Sequence, residues 1–518
     1  MTPFKAPIDD ILFSLNKVAG ADQLPDWDAE TAADIISHFA SFAEGKIAPL
    51  DESGDAQGAR LVDGRVKMPD GFVATYRALA EGGWQGLSAP EEFGGMEQNY
   101  LIAAAVSEIF SGANHAMQMV CNLVPGAIST LLKFGTDAQK QEWIPRMTAG
   151  EVLSTMCLTE PGAGSDLSRI RTKAVQDGDQ WQISGEKIFI SGGDQDMSDD
   201  ILHLVLARTS DEGVKGLSLF LTGRTMAGDT IKITRIEEKL GIHASPTCQM
   251  AFDDTPAELV GEVGGGLTAM FTVMNHARID VSLQGVAHAS RAYDVAAIYA
   301  AERSQGRKSD GSPAVLADHA DVRRMLDRQR SLALGARAMT HLTLVELEKG
   351  DAPDLVDFLT PVCKVFCTEA GMEAADLGIQ VLGGYGYLTE YRVSQTWRDA
   401  RITAIYEGAN GIHALALATR GLRVKGGAGA DAFEALVTRL SGHSEVTQLL
   451  EHWRLWRAAC LTSDAPAELA HDFTKLTCEL LFRACWCCIA DVSEDAEMSR
   501  LRDVVLQAPV AIRKLPNG

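Results

Sequence analysis

The sequence predicts a multidomain α+β protein: an N-terminal α-helical domain, a small central β-barrel or sandwich, a four-helix bundle and an extra C-terminal helical segment. Three observations carry this expectation. Apolar residues recur at helical spacing as far as about residue 150. Short β-rich segments separated by turn clusters then follow one another until about Phe252, and helical periodicity returns after Gly264-Gly265-Gly266. The β-rich insert is too long for a loop and too poor in helices for a parallel sheet.

The N-terminal helical signals begin near Asp28, with Ala32, Ile35, Ile36, Phe39 and Phe42 on one face. Gly82-Gly83-Trp84 and Phe93-Gly94-Gly95 read as connecting loops. A helix over Leu101 to Ile109 leads into a patch of small residues and methionines (Gly112, Ala113, Met117, Met119) that reads as core before it reads as an acyl pocket. Strands are expected at Lys173–Val175, Trp181–Ser184, Ile188–Ile190, Ile201–Ala207, Leu217–Leu221 and Ile231–Thr234, with a turn at Gln176-Asp177-Gly178-Asp179. In the bundle, Val286, Ala289, Tyr293 and Ala297 mark a long helix ending near Arg303. Ser312-Pro313 reads as the N-cap and first-turn proline of the next helix, which turns Val322, Met325 and Leu326 inward. A third helix is expected after Pro361, and a fourth runs through residues 397–413 to about Arg420. Gly426 to Ala430 reads as a flexible break. The expected domains are therefore 1–151, 152–264, 265–424 and 431–518.

The chain has 518 residues, enough for several domains, and a formal charge of −23. Such an acidic chain repels a phosphate backbone, which argues against nucleic acid as the main partner. Local arginines and backbone N–H groups can still hold an anionic ligand. The first ten residues do not read as a signal peptide, and no apolar stretch approaches a membrane span. The ten scattered cysteines suit a reducing compartment, so a cytoplasmic protein is expected. Cys485, Cys487 and Cys488 lie in an apolar helix without a second CxxC or a His pair, and read as core thiols rather than a zinc site.

Two stretches carry chemistry. In the run from Trp397 to His413, the single carboxylate of Glu407 follows an aromatic residue and precedes a Gly-Ala-Asn-Gly bend. Read locally, Glu407 is first a cap for the helix whose apolar positions begin at Ile412, and second a desolvated general base. In the other stretch, Met156 to Asp166, Pro161, Gly162 and Gly164 fix a bend where backbone N–H groups and the hydroxyls of Thr159 and Ser165 can meet a ligand.

Taken with the domain order, Thr-Glu-Pro-Gly-Ala-Gly-Ser-Asp (159–166) and Tyr-Glu-Gly (406–408) resemble the acyl-CoA dehydrogenases. Glu302-Arg303-Ser304-Gln305-Gly306, Gln380-Val381-Leu382-Gly383-Gly384-Tyr385-Gly386 and Arg398-Asp399-Ala400-Arg401-Ile402 add to the resemblance, which covers about residues 28–420. Residues 83–87, 89–95 and 321–326 are similar to the branch containing 3-methylmercaptopropionyl-CoA dehydrogenases, although this chain is shorter after Gly426 than expected for that branch.

The resemblance implies FAD as cofactor and α,β-dehydrogenation of an acyl-CoA thioester to the trans-2-enoyl-CoA. Glu407 is then the base that takes the α-proton, and hydride goes to flavin N5. Leu158, Thr159, Gly164 and Ser165 match positions lining the flavin and the start of the CoA arm, in a β domain that carries the flavin and acyl-CoA cleft. Phe189 and Ser191 match the segment over the other flavin face, where many relatives have Trp and Thr. Arg303, Gln305, Gln380, Gly383 and Gly384 match residues reaching the FAD of a neighbouring subunit, which implies a homodimer or homotetramer. On local reading alone these are a surface arginine and a helix C-cap. Ser165, Arg278, Tyr406 and Gly408 fall on the substrate side, Arg278 reading equally as a rim salt bridge, and no metal is implied. Ala409 stands where Thr is usual and His413 where Gln is usual. The implied partners are a short or substituted acyl-CoA, such as 3-methylmercaptopropionyl-CoA, and an electron-transfer flavoprotein. An acyl-CoA oxidase and a DNA-binding stress flavoprotein of the same fold are the alternatives, the latter opposed by the charge.

Overall fold

A computed structural model describes residues 3–178 and 180–515. Asp179, the last residue of the expected turn at 176–179, lies outside them, as do residues 1, 2 and 516–518 of the outer expected domains. Internal packing divides the chain into two units. One comprises Phe42–Asn99 and Ala113–Ala277, and the other Met1–Ser41, Tyr100–Gly112 and Arg278–Gly518.

In the first unit, seven strands form the sheet: β1 (Val152–Cys157), β2 (Lys173–Asp177), β3 (Gln180–Ser191), β4 (Asp200–Arg208), β5 (Leu217–Gly223), β6 (Ile231–Ile236) and β7 (Thr247–Val260). β4 pairs in parallel with β1, and the pairings β4–β2–β3–β7–β5–β4 close on themselves, with β6 added to β7. Closure leaves few open edges. β4 is buried along nearly its whole length, as its unbroken Ile-Leu-His-Leu-Val-Leu-Ala run requires. The two segments expected at 181–184 and 188–190 are one strand, β3, whose register against β7 slips twice, between Ile183 and Gly185 and between Lys187 and Ile190. Each slip is a bulge, and a bulge interrupts the alternation that marks a strand in sequence. The helix Asp137–Thr148 starts from a capping box made by Thr136 and Gln139.

The second unit is helical. Its bundle contains α1 (Gly266–Glu302, from Arg278 onward), α2 (Ala320–Lys349), α3 (Pro353–Leu382), α4 (Val393–Ala400) and α5 (Asn410–Ala416). Three expectations are corrected. Ser312-Pro313 does not open a helix: Pro313–Val315 pairs with Ser304–Arg307 as a small hairpin, and α2 begins at Ala320. Pro361 lies inside α3, whose first turn holds Pro353 instead. The expected fourth helix is broken between α4 and α5, and Glu407 stands in the break. Beyond the bundle, helices at 428–440, 444–462, 470–492 and 496–507 share one apolar core with it. Phe482 stacks on Phe366 at 4.7 Å between centroids, and the Trp486 indole donates to the Ser331 carbonyl at 3.1 Å.

Within this unit, Glu108 and Arg337 form a bidentate ion pair among apolar residues, both almost fully buried. Arg330 pairs with Asp10, and the His341 Nδ1 lies 2.9 Å from the Ser14 hydroxyl. These contacts hold the N-terminal segment against α2. All ten cysteines are free, and no helix among the described residues is long and apolar enough to cross a membrane.

A buried ion pair is most costly when only half of it remains. Arg337→Met is expected to lower unfolding stability by roughly 3–5 kcal/mol. The double variant with Glu108→Gln should recover much of that loss, measured as denaturation midpoints of the three proteins.

Candidate active site

Glu407 occupies the break between α4 and α5 with φ of +51°, followed by Gly408 at +92°. A glutamate pays for left-handed backbone where glycine does not, so the surroundings must impose the conformation. They do so through the two carbonyls of the turn. His413 lies with Nε2 3.0 Å from the Glu407 carbonyl, and Lys364 donates to the Gly408 carbonyl at 2.8 Å and to Asn410 Oδ1 at 2.9 Å. Facing an acceptor, the His413 Nε2 carries the proton. Burial first, then the charges of Lys364 and Arg278, push the His413 pKa down to about 4, so the ring is neutral at pH 7. Gly408 is obligatory for a second reason: a Cβ there would stand 2.8 Å from His413 Nε2.

The expectation that Glu407 caps the following helix fails. The N-cap of α5 is Ala409, and no side chain caps that end. A threonine at 409 could have capped it, so the departure seen in the sequence removes a cap. Glu407 is half-buried as a residue, but its Oε2 is closed off from solvent and has no hydrogen-bond partner among the described residues. Burial pushes its pKa up to about 7; Arg278 and Lys364 pull against that rise, and Asp280 adds to it.

The cations come from neighbouring helices brought close by glycines. A Cβ on Gly285 of α1 would stand 2.3 Å from the Cys367 carbonyl of α3, and one on Gly371 2.7 Å from the Gly285 carbonyl. The contact sets Asp280 and Gln284 of α1 beside the turn. Tyr406 donates its hydroxyl to Gln284, whose amide reaches Asp280 at 2.9 Å, and Ser107 donates to Asp280 in turn. The structure thus gathers Glu407, Arg278, Tyr406 and Gly408 within one unit.

Sequence reasoning missed Lys364, Asp280 and Gln284. A signal existed for Lys364, a single cation in the apolar run Pro361-Val362-Cys363-Lys364-Val365-Phe366-Cys367. The same holds for Asp280, a lone carboxylate beside Val281 in a helix interior.

A second group in the same unit lines a pocket of ≈ 400 Å³: Arg303, Gln305, Gly383 and Gly384, with Tyr299 and Tyr385. Arg303 lies over the Tyr385 ring, 5.6 Å from its centroid. Gly383 is also the C-cap of α3 at φ +61°, as the local reading expects, and it lines this pocket as well. Gln380 is exposed and does not line the pocket; its carbonyl takes part in the cap.

In the other unit, residues 158–166 are tied to β3. The Leu158 carbonyl accepts from Lys187 Nζ at 3.1 Å and the Thr159 carbonyl from the Ile188 N–H at 2.9 Å. Glu160 is the clamp of the motif. Its carboxylate accepts from Lys187 at 2.8 Å and from the Arg171 and Thr172 N–H groups at 2.7 and 3.0 Å. Burial opposes its ionisation, but the Lys187 charge and these bonds outweigh it and hold the carboxyl below its usual range. Gly162 and Gly164 have open space where a side chain would stand, and Gly164 and Ser165 are exposed. Phe189, in the bulge of β3, is 60% exposed at φ +59°, and Ser191 is half-buried at the strand end. An exposed aromatic ring on strained backbone is not there to fill a core.

Comparison with known proteins covers most of the chain. Family models match in order: acyl-CoA dehydrogenase, N-terminal domain, at residues 29–151; middle domain at 155–255; and C-terminal domain at 264–422. The 3-methylmercaptopropionyl-CoA dehydrogenase of Ruegeria pomeroyi is 41% identical over 468 residues, spanning 85% of this chain and 80% of the relative. A solved chain from a study of the electron transferring flavoprotein of Acidaminococcus fermentans and flavin-based electron bifurcation superposes with a TM-score of 0.69 at 27% identity, over 77% of this chain and 100% of that one. An acyl-CoA dehydrogenase from Bacillus anthracis, complexed with FAD, shares the fold over 97% of this chain and 90% of its own, at a TM-score of 0.77 and 21% identity.

The two polar and aromatic features of residues 158–191 should part in a stability measurement. Glu160→Gln leaves the Lys187 ammonium buried without its counter-charge and is expected to cost roughly 3–5 kcal/mol. Phe189→Gly relieves the backbone while freeing the unfolded chain, so its unfolding midpoint should stay within about 1 kcal/mol of the parent.

Proposed function

Because this chain belongs to the acyl-CoA dehydrogenase family, we propose that it removes two hydrogens across the α,β bond of an acyl-CoA thioester, with Glu407 as the base that takes the α-proton. The observation that carries this reading is the Glu407 carboxylate, desolvated, with Oε2 unpartnered among the described residues and a pKa pushed up to about 7. A base works best when its pKa lies near the working pH, because it is then both ionised and strong enough to accept the proton. The left-handed backbone at 407 also bears on the reaction. With the Glu407 and Gly408 carbonyls held by His413 and Lys364, the Glu407 N–H makes no hydrogen bond among the described residues. That leaves it a donor for the thioester oxygen, which gains charge as the proton departs.

The cofactor of this reading is FAD, which when bound supplies the hydride acceptor. The residues present fit it. The open backbone at Gly162 and Gly164, with Leu158, Thr159 and Ser165 beside it, suits a flavin and a phosphorylated arm. Phe189 offers an aromatic face and Ser191 a hydroxyl. The pocket at Arg303, Gln305, Gly383 and Gly384 pairs a guanidinium with open glycine backbone, as an FAD reaching in from a second subunit would need. The reading therefore includes a homodimer or homotetramer.

The substrate we favour is a short or substituted acyl-CoA such as 3-methylmercaptopropionyl-CoA, on the strength of the Ruegeria relative. Electrons would pass to an electron-transfer flavoprotein, which the resemblance to the Acidaminococcus chain supports. Ten free thiols suit the cytoplasm as the compartment.

Two outcomes are expected. Glu407→Gln should retain FAD yet lose anaerobic flavin bleaching by an acyl-CoA panel, by roughly 10²–10⁴-fold; bleaching at the parent rate removes Glu407 from the role. In the parent, the bleaching rate should fall about tenfold per pH unit below pH 7, because the carboxyl is protonated there and cannot act as a base. A rate flat down to the pKa of an ordinary glutamate would contradict the desolvated state.

A further inference from the structure

The Lys364 side chain is fully buried in the middle of α3, where an ammonium is expensive to keep. Its two hydrogen bonds go to neutral oxygens, the Gly408 carbonyl and Asn410 Oδ1. Neutral acceptors satisfy two of its N–H groups but leave its charge without a contact partner among the described residues. A neutral donor such as glutamine could have tied the same turn, so the charge itself needs a reason.

The groups that face Lys364 supply one. Glu407 is on the turn it clamps, Glu369 is five residues further along α3, Arg278 is on α1, and the neutral His413 is on α5, while Asp280 of α1 acts on Glu407. Burial pushes the Lys364 pKa down to about 8, and among its neighbours Glu407 acts on it most strongly. α3 presents more than one contact here. Asn410 Nδ2 donates to Thr368 Oγ1 at 3.1 Å and to Glu369 Oε1 at 3.3 Å, so Lys364, Thr368 and Glu369 together fix Asn410 from behind. Asn410 is the first residue of α5, the helix end that Ala409 leaves uncapped.

We propose that Lys364 is a positioning residue for Glu407: its ammonium locks the Gly408–Asn410 turn and, by its charge, favours the ionised form of that carboxylate. The proposal rests on the reading of Glu407 as the base. It assigns Lys364 two separable effects, one carried by its hydrogen bonds and one by its charge. The hydrogen bonds hold the backbone that aims Glu407. The charge offsets the desolvation that favours its protonated form. No substrate or cofactor contact is part of the role.

The test is the pH dependence of anaerobic flavin bleaching in the FAD-loaded protein, with FAD content and unfolding midpoint measured alongside. Lys364→Gln keeps a hydrogen-bond donor and removes the charge. Its acid limb should move to higher pH by about one unit or more, with bleaching at pH 7 down about fivefold or more and recovering at alkaline pH. Lys364→Arg keeps the charge, and its acid limb should stay in place whatever its maximal rate. An unmoved limb in a folded, FAD-loaded Lys364→Gln reduces Lys364 to a structural prop and overturns the proposal. If that variant does not fold, Asn410→Asp decides with Lys364 intact. A carboxylate set against the ammonium should raise the limb in the same direction, and an unshifted profile again overturns the proposal. Failure here is distinct from failure of the base assignment. Glu407→Gln bleaching at full rate removes the base, whereas its loss of bleaching together with unmoved limbs in the Lys364 and Asn410 variants removes only the role of Lys364.

Discussion

A carboxylate withdrawn from water must be paired, protonated or held at the point between the two, and the helical unit contains both extremes. Glu108 is paired: Arg337 meets it in a bidentate bond, and nothing is left to react. Glu407 has no such partner among the described residues. Its cations, Arg278 and Lys364, act on it through space, and Oε2 keeps a free lone pair. The difference between the two acids is whether the compensating charge is in hydrogen-bond contact, as for Glu108, or acts without one, as for Glu407 among the described residues. The close approach of α1 and α3 at Gly285 and Gly371, the left-handed turn at 407–408 and the hydrogen bonds of His413 and Lys364 fix the backbone around Glu407.

The β-rich unit solves a related problem with the opposite choice. Glu160 stands in a motif that looks like a ligand loop, and its carboxylate is spent on the protein, joining β3 to the start of the turn through Lys187. With that clamp in place the neighbouring glycines can stay open and Phe189 can stay exposed on strained backbone. Rigidity in one residue of the motif leaves the others available.

The order of the domains was legible from periodicity alone, because helical and strand spacing persist over many residues and add up. The breaks were not. Pro361 reads as a helix start, yet it lies inside α3, whose true first turn holds Pro353 and runs on through the buried Leu355, Val356, Phe358 and Leu359. The Ser304–Val315 hairpin escaped notice because a pair of four- and three-residue strands is too short for any period to show. For the site, Glu407 stood out only beside its relatives in the chain, since a lone acid before a helix is more often a cap. Lys364 and Asp280 are 43 and 127 residues from it in sequence, and no local pattern can announce a partner that the fold supplies. What could be seen was their oddity, a charge where the helix face called for none.

The discontinuity of the two units has a bearing on how the chain is made. Residues 42–99 and 113–277 can complete their own packing as soon as they emerge, but Met1–Ser41 and Tyr100–Gly112 belong to a unit that needs Arg278–Gly518. Glu108 precedes Arg337 by 229 residues. At about 5–20 residues per second, synthesis leaves that carboxylate and the apolar face around it without a partner for roughly ten to fifty seconds. Over that interval the residues around Glu108 lack the segment they pack with, the condition under which a nascent chain is prone to wrong association. A charge set within an apolar stretch, as Glu108 is among Ile102, Val106, Ile109 and Phe110, opposes such association.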